Sequence, residues 1–187
     1  MKAIENYEAV QATTGEFNRP TTGGYCIEIL SVKDVPIDNN TGKGNYLEIE
    51  YDICHGEFAG YYTKQNERFG GKWFANFIRS YKDAALGMFK HFINCVESSN
   101  PNYKWDWNEK GLEHKYLGVV LGEEEYKKND GTIGVKLVVK DIKTIEQIAT
   151  GDFKVPPIKR LTAEAKPFVM DTSGFEELPS DNDLPFN

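Results

Sequence analysis

Between Tyr61 and Lys82 the chain reads YYTKQNERFGGKWFANFIRSYK, where seven aromatic residues interleave with five cations and one acid, Glu67. That mixture suits a single strand of nucleic acid, which offers a charged backbone and unpaired base faces. Lys and Arg neutralise phosphates, while planar side chains stack on bases at roughly 1–3 kcal/mol per base. Tyr61, Tyr62, Lys64, Arg68, Lys72, Trp73, Arg79, Tyr81 and Lys82 are the candidate contacts. Every base has a π-face, so the binding expected is sequence-tolerant. The competing reading is core packing, and Phe74, Phe77 and Phe89 are assigned to it. Tyr61, Trp73 and Tyr81 carry polar tips or basic neighbours and are assigned to the surface.

Other chemistry is sparsely supported. Glu125 and Lys127 form an ExK step of the kind small magnesium nucleases use, and Asp106 offers a further carboxylate. Such chemistry requires those groups to converge on the metal, so a nuclease is the alternative function. The acids of GEEEY beside a hairpin turn read as a solvated face. No GxSxG, HExxH or GxxxxGK[ST] motif occurs, and NTGKGN shares only a Gly-Lys pair with a phosphate loop. His91 and Cys95 are four apart on an expected helix, but two ligands do not make a zinc site, and core packing is favoured. The scattered Cys26, Cys54 and Cys95 fit reduced thiols rather than a disulfide framework. No cofactor or metal is called for, and the protein is expected not to be an enzyme.

The net charge of −7 over 187 residues argues at first against a polyanionic partner. Its distribution changes that. From Met170 to Asn187 there are five acids and no Lys or Arg; removing five from 29 leaves 24 acids against 22 basic residues, a net of −2. The body is nearly neutral and can carry a local basic patch. No apolar run has membrane-spanning length, and MKAIENYEAV lacks the apolar core of a signal peptide, so a cytoplasmic protein is expected.

The elements that must position these residues follow from periodicity. Residues 1–22 read as an N-terminal arm and 23–150 as one domain. GGYCIEILSVKDVPI and YLEIEYDI flank the turn cluster DNNTGKGN as a long hairpin, with Leu47, Ile49, Tyr51 and Ile53 on one face. FAGYYTKQ reads as a third strand, broken by RFGGKWF. In SYKDAALGMFKHFINCVESSNP, Ala85, Met88, Phe89, Phe92, Ile93 and Val96 recur at helical spacing, Ser80 and Asp83 resemble a capping pair, and Pro101 ends the segment. YKWDWNEK is assigned to packing. KYLGVVLGEEEY and TIGVKLVVKDI form a second hairpin through KKNDG. TIEQIATG adds a short helix with Thr144 and Gln147 at capping-box spacing. Residues 151–169 are a Pro-containing extension and 170–187 an acidic flexible tail. Three strands, one amphipathic helix and two strands match a mainly β, five-stranded OB-type barrel, with the helix between strands three and four.

The closing SDNDLPFN resembles the acidic tip of bacterial single-stranded DNA-binding proteins, which end in acids, a hydrophobic residue, Pro and Phe. GGYCIEI, YLEIEYDI, RSYKDAALGMFKHFINCVESSNP and YLGVVLGEEEYKKNDGTIGVKL resemble a phage-encoded family of single-stranded DNA-binding proteins, over roughly residues 7–160. The resemblance implies an OB-like fold, coating of single-stranded DNA, and a tail that recruits replication or recombination proteins through Asp181, Asp183, Leu184, Pro185 and Phe186. Homo-oligomerisation is left open, as is an adaptor role without DNA affinity. In the bacterial tip Phe is terminal; here Asn187 follows Phe186 and moves the carboxylate one residue outward. An acidic peptide repels the polyanion its own domain would bind. Deleting Ser180–Asn187 is therefore expected to leave the denaturation midpoint unchanged and single-strand affinity equal or higher; loss of folding would make the tail structural.

Overall fold

The computed structural model describes residues 18–38, 40–71 and 73–161. Lys72 and the five tail positions Asp181, Asp183, Leu184, Pro185 and Phe186 lie outside them.

Two hairpins build most of the sheet. β1 (Gly23–Val35) pairs antiparallel with β2 (Tyr46–Ile53) from Ile27↔Ile53 to Val35↔Tyr46. β4 (Tyr116–Lys127) pairs with β5 (Ile133–Lys143) from Gly118↔Lys143 to Lys127↔Ile133. The hairpins join through β1 and β4, Gly23↔Leu121 to Glu28↔Tyr116, and β3 (Asn76–Ser80) adds to β2. The hydrogen-bonded order is β3-β2-β1-β4-β5.

Alternation puts Ile27, Ile29, Leu47, Ile49, Tyr51, Phe77, Leu117, Val119 and Leu121 on one buried face. A register shift between Ile29 and Ser31 resets the alternation, so Val32 also turns inward. α2 (Leu86–Ser99) covers that face with Phe89, Phe92, Ile93 and Val96, as its helical spacing requires. A 3-10 turn, Asp83–Ala85, precedes it. The expected Ser80–Asp83 cap is not formed: the Ser80 hydroxyl donates to the Asn45 carbonyl at 3.2 Å instead. After β5, α3 (Ile145–Thr150) has the expected capping box of Thr144 and Gln147, and Gly151 ends it in a left-handed conformation.

The expected mainly β closed barrel with one helix is corrected to a mixed α/β fold: one five-stranded antiparallel sheet, not closed, with three α-helices among the described residues. The cause lies at residues 58–65, read above as the third strand. They enter α1 (Tyr61–Phe69) instead, and β3 begins only at Asn76. With five residues β3 forms a short edge that makes no ladder to β5.

α1 forms against the β preference of Tyr61, Tyr62 and Thr63 because its N-terminus has a remote cap. Gly60, at φ 70°, supplies the turn and no side-chain cap. Asp52, a β2 residue 5% exposed, supplies the acceptors. Its carboxylate accepts hydrogen bonds from the backbone N–H groups of Ile53, Tyr62 and Thr63 at 2.8, 3.0 and 2.9 Å. Two of these are orphan donors of the first helical turn. A buried carboxylate at that end also complements the helix dipole.

The segment after α3 docks on the sheet. Gly24, Gly118 and Gly122 leave no room for a side chain: a Cβ would meet Phe153 at 2.5 Å, Ile148 at 2.6 Å, and Lys140 at 2.7 Å with Pro156 at 3.3 Å, respectively. Lys159 then forms a parallel bridge with Glu124 on the stretch of β4 that runs past the start of β1. Its N–H donates to the Glu123 carbonyl, and its carbonyl accepts from Glu125 N–H, both at 3.0 Å.

Asp52→Ala leaves the Tyr62 and Thr63 N–H groups without their acceptor. It is expected to lower stability by about 1–3 kcal/mol, read as a fall in the urea midpoint with loss of helical circular dichroism. Asp52→Asn, which keeps one acceptor oxygen, should fall between the two; an unchanged midpoint for both would remove the cap from this account.

Candidate nucleic-acid interface

α1 presents one side of its nine residues to solvent beside the gap between β3 and β5. Two adjoining cavities of about 390 Å³ each run along it. Asn18, Arg19, Tyr61, Lys64, Gln65, Arg68 and Phe69 line the first. The second is walled by Arg19, Pro20, Tyr61, Tyr62, Gln65, Phe74, Asn76 and the β5 run Val135–Val138, which includes Lys136. Arg19, Tyr61 and Gln65 belong to both, so the two form one groove. Among the described residues its walls hold four cations and four aromatic residues, and no Asp or Glu. Glu57, which accepts a hydrogen bond from the Asn18 amide, stands beside it.

Four of the nine candidate contacts meet here: Tyr61, Tyr62, Lys64 and Arg68. Tyr61 packs edge-on against Tyr62 at 5.2 Å and Phe58 at 6.3 Å. Tyr62 is half-buried, its ring edge-on to Tyr51 at 5.7 Å, so it forms floor rather than rim. Lys64 Nζ donates to the Ala59 carbonyl at 3.3 Å, and Arg68 lies over the Phe69 ring at 5.3 Å. The groove also gains residues that the sequence reading left elsewhere. Phe74, assigned there to the core, is 71% exposed, and Phe69 is 67% exposed. Arg19 arrives from the N-terminal end of the described chain and Lys136 from β5.

The other candidates do different work. Trp73 packs against the core, its indole N–H donating to the Ala75 carbonyl at 3.0 Å and to that of Tyr51 at 3.3 Å. Arg79 lies over the Phe77 ring at 4.9 Å and donates to the Ile78 carbonyl at 3.0 Å. Burial pulls its guanidinium below the ordinary value, partly offset by the Asp141 carboxylate of β5. Tyr81 donates to Asp34 at 2.7 Å and packs on Phe89, while Lys82 Nζ donates to the Gly42 carbonyl at 3.0 Å in the β1–β2 turn.

Two acids of the alternative reading, Glu125 and Asp106, accept backbone hydrogen bonds. Glu125 accepts a hydrogen bond from Leu161 N–H at 3.0 Å, and Glu124 pairs with Lys140 and Lys159 at 3.2 and 2.9 Å. Asp106 accepts from Asn108 N–H at 3.1 Å. Among the described residues no three His, Cys, Asp or Glu side chains are grouped to hold a metal ion. His91 and Cys95 do share a helix face, Nε2 to Sγ 3.6 Å, with His91 also against the Ile142 carbonyl at 3.0 Å. The thiols of Cys26, Cys54 and Cys95 are free, and burial raises all three above the ordinary value, Cys54 to about 11. In YKWDWNEK, Trp105 packs on the core as expected, but Trp107 is 81% exposed. No described helix is long and apolar enough to cross a membrane.

No family model matches this chain, and no curated protein matches it significantly.

The tyrosines give the fold a signature at high pH. Burial raises Tyr51 far above its ordinary value near 10, and raises Tyr62, Tyr81 and Tyr103 to about 12. As pH rises from about 10 to about 12 the unfolded chain gives up phenolic protons that the folded chain retains. Stability falls progressively through that window, and this contribution is intact below it. The urea midpoint is therefore expected to fall from about pH 10 upward, and less steeply in Tyr62→Phe. An identical slope in that variant would mean Tyr62 ionises as freely as in the unfolded chain.

Proposed function

We propose that the protein binds single-stranded DNA in the groove along α1, and that its acidic C-terminal segment recruits replication or recombination proteins. The observation carrying this reading is a groove walled by Arg19, Lys64, Arg68 and Lys136 together with Tyr61, Tyr62, Phe69 and Phe74, without a carboxylate among the described residues. Cations beside exposed rings match phosphates alternating with unstacked bases. A duplex hides its base faces, so Phe69 and Phe74 would gain nothing from it. The order β3-β2-β1-β4-β5, with a helix between β3 and β4, supports reading the sheet as an opened relative of the OB arrangement. The resemblance of the body to phage single-stranded DNA-binding proteins, and of the tip to their bacterial counterparts, points to the same function. On this reading the protein coats DNA strands and performs no chemistry on them.

The test is fluorescence polarisation of dye-labelled oligo-dT against an equal-length duplex, at two salt concentrations. Oligo-dT is expected to bind, the duplex to bind far more weakly, and affinity to fall as salt rises. The triple variant Arg19→Ala, Lys64→Ala, Lys136→Ala should reduce the slope of log affinity against log salt by about 2, at about 0.7 per lost phosphate contact. Phe74→Ala should cost about 1–3 kcal/mol of binding with the urea midpoint unchanged, because its ring is exposed. Wild-type slope and affinity in both variants would move the interface elsewhere. Magnesium-dependent loss of the labelled strand would favour a nuclease, and absence of binding an adaptor.

A further inference from the structure

The cavity between α1, β3 and β5 contains more than stacking and charge require. Gln65, half-buried, and Asn76, exposed, both line it, and their side-chain amides bond to no other described residue. Several amides elsewhere in the fold are engaged, although Asn66 on the same helix keeps its Oδ1 buried without a partner among the described residues. Asn100 donates to the carbonyls of Val96 and Tyr116 at 2.7 and 2.8 Å and accepts from Tyr116 N–H at 2.9 Å. Gln147 closes the α3 cap, and Asn45 accepts from Ile37 N–H at 3.0 Å. The two idle amides face a space of about 390 Å³, with Phe74 in its wall and the cations Arg19 and Lys136 also lining it. Each amide carries a donor pair and an acceptor in one plane, the complement of a base edge that offers both.

We infer that this cavity receives one base turned out of the strand and reads its edge through the amides of Gln65 and Asn76, so that binding discriminates among bases. The inference rests on the single-strand reading above and sharpens it: the groove as a whole is sequence-tolerant, while this one position is not. Phe74 supplies a face for the turned-out base, and Arg19 and Lys136 can meet its flanking phosphates. Contacts to phosphate position a strand without reading it, whereas amide contacts to a base edge carry sequence information.

Dye-labelled oligo-dT, oligo-dC and oligo-dA of equal length, titrated with the full chain at one salt concentration, provide the test. Wild type should separate its best and worst homopolymer by about tenfold, the size of one good bidentate base contact. Gln65→Ala with Asn76→Ala should compress that range to about threefold or less, with the salt slope unchanged. Any self-stacking of the free strand is common to both proteins and cancels in the comparison. Gln65→Glu, nearly isosteric but with its donors replaced by an anionic acceptor, should reorder the homopolymers rather than weaken all equally. Tight binding with equal affinities in wild type, or a range that survives both variants, overturns the inference and leaves single-strand binding standing. Failure of wild type to bind any homopolymer overturns both.

Discussion

One buried carboxylate organises the face on which the groove lies. Asp52 sits on a strand, yet its oxygens are spent on the first turn of a helix. Burying an ionised group is tolerable only when its lone pairs are filled, and here backbone donors fill them. The exchange is mutual: orphan N–H groups of α1 gain a partner, and the strand gains a rigid neighbour. Because β2 is an interior strand, between β3 and β1, α1 inherits the position of the core. Tyr61, Lys64, Gln65 and Arg68 are therefore carried on a short helix held at its first turn by a buried residue of the sheet.

The choice of helix over strand at residues 61–69 also explains the open sheet. Chain that would have lengthened β3 is consumed in α1, so the two edge strands face each other without a ladder. Open edges are a liability when flat and apolar. Here the gap is bordered by α1, whose residues line the cavity between β3 and β5. The groove occupies the space that barrel closure would have eliminated. Site and topology are thus one decision, taken at the turn after β2.

Much of this was legible in the residues. β1, β2, β4, β5 and α2 follow from alternation or helical spacing that the core enforces, and α3 from its capping box. α1 was not, because its decisive cap lies on a different element and its first three residues favour strands. Reading residues 58–65 as a strand misplaces β3, and expecting a closed barrel puts Phe74 in the core. The stretch Trp73 to Ile78 does alternate, with Ala75 and Phe77 buried and Phe74, Asn76 and Ile78 exposed. That period of two was the available signal for Phe74. Nothing local announced Arg19 or Lys136, which join the groove only through the fold.

The sheet's register has a kinetic side. Each hairpin pairs neighbours in sequence, but the β1–β4 ladder joins Gly23 to Leu121, residues from distant parts of the chain. Closing so large a loop is entropically costly before any contact rewards it, and such pairings slow folding. During synthesis the first hairpin emerges well before its partner, with Ile27 and Ile29 still lacking the core contacts that β4 supplies. Until the β1–β4 ladder forms, the β1 edge is open to pairing with other chains.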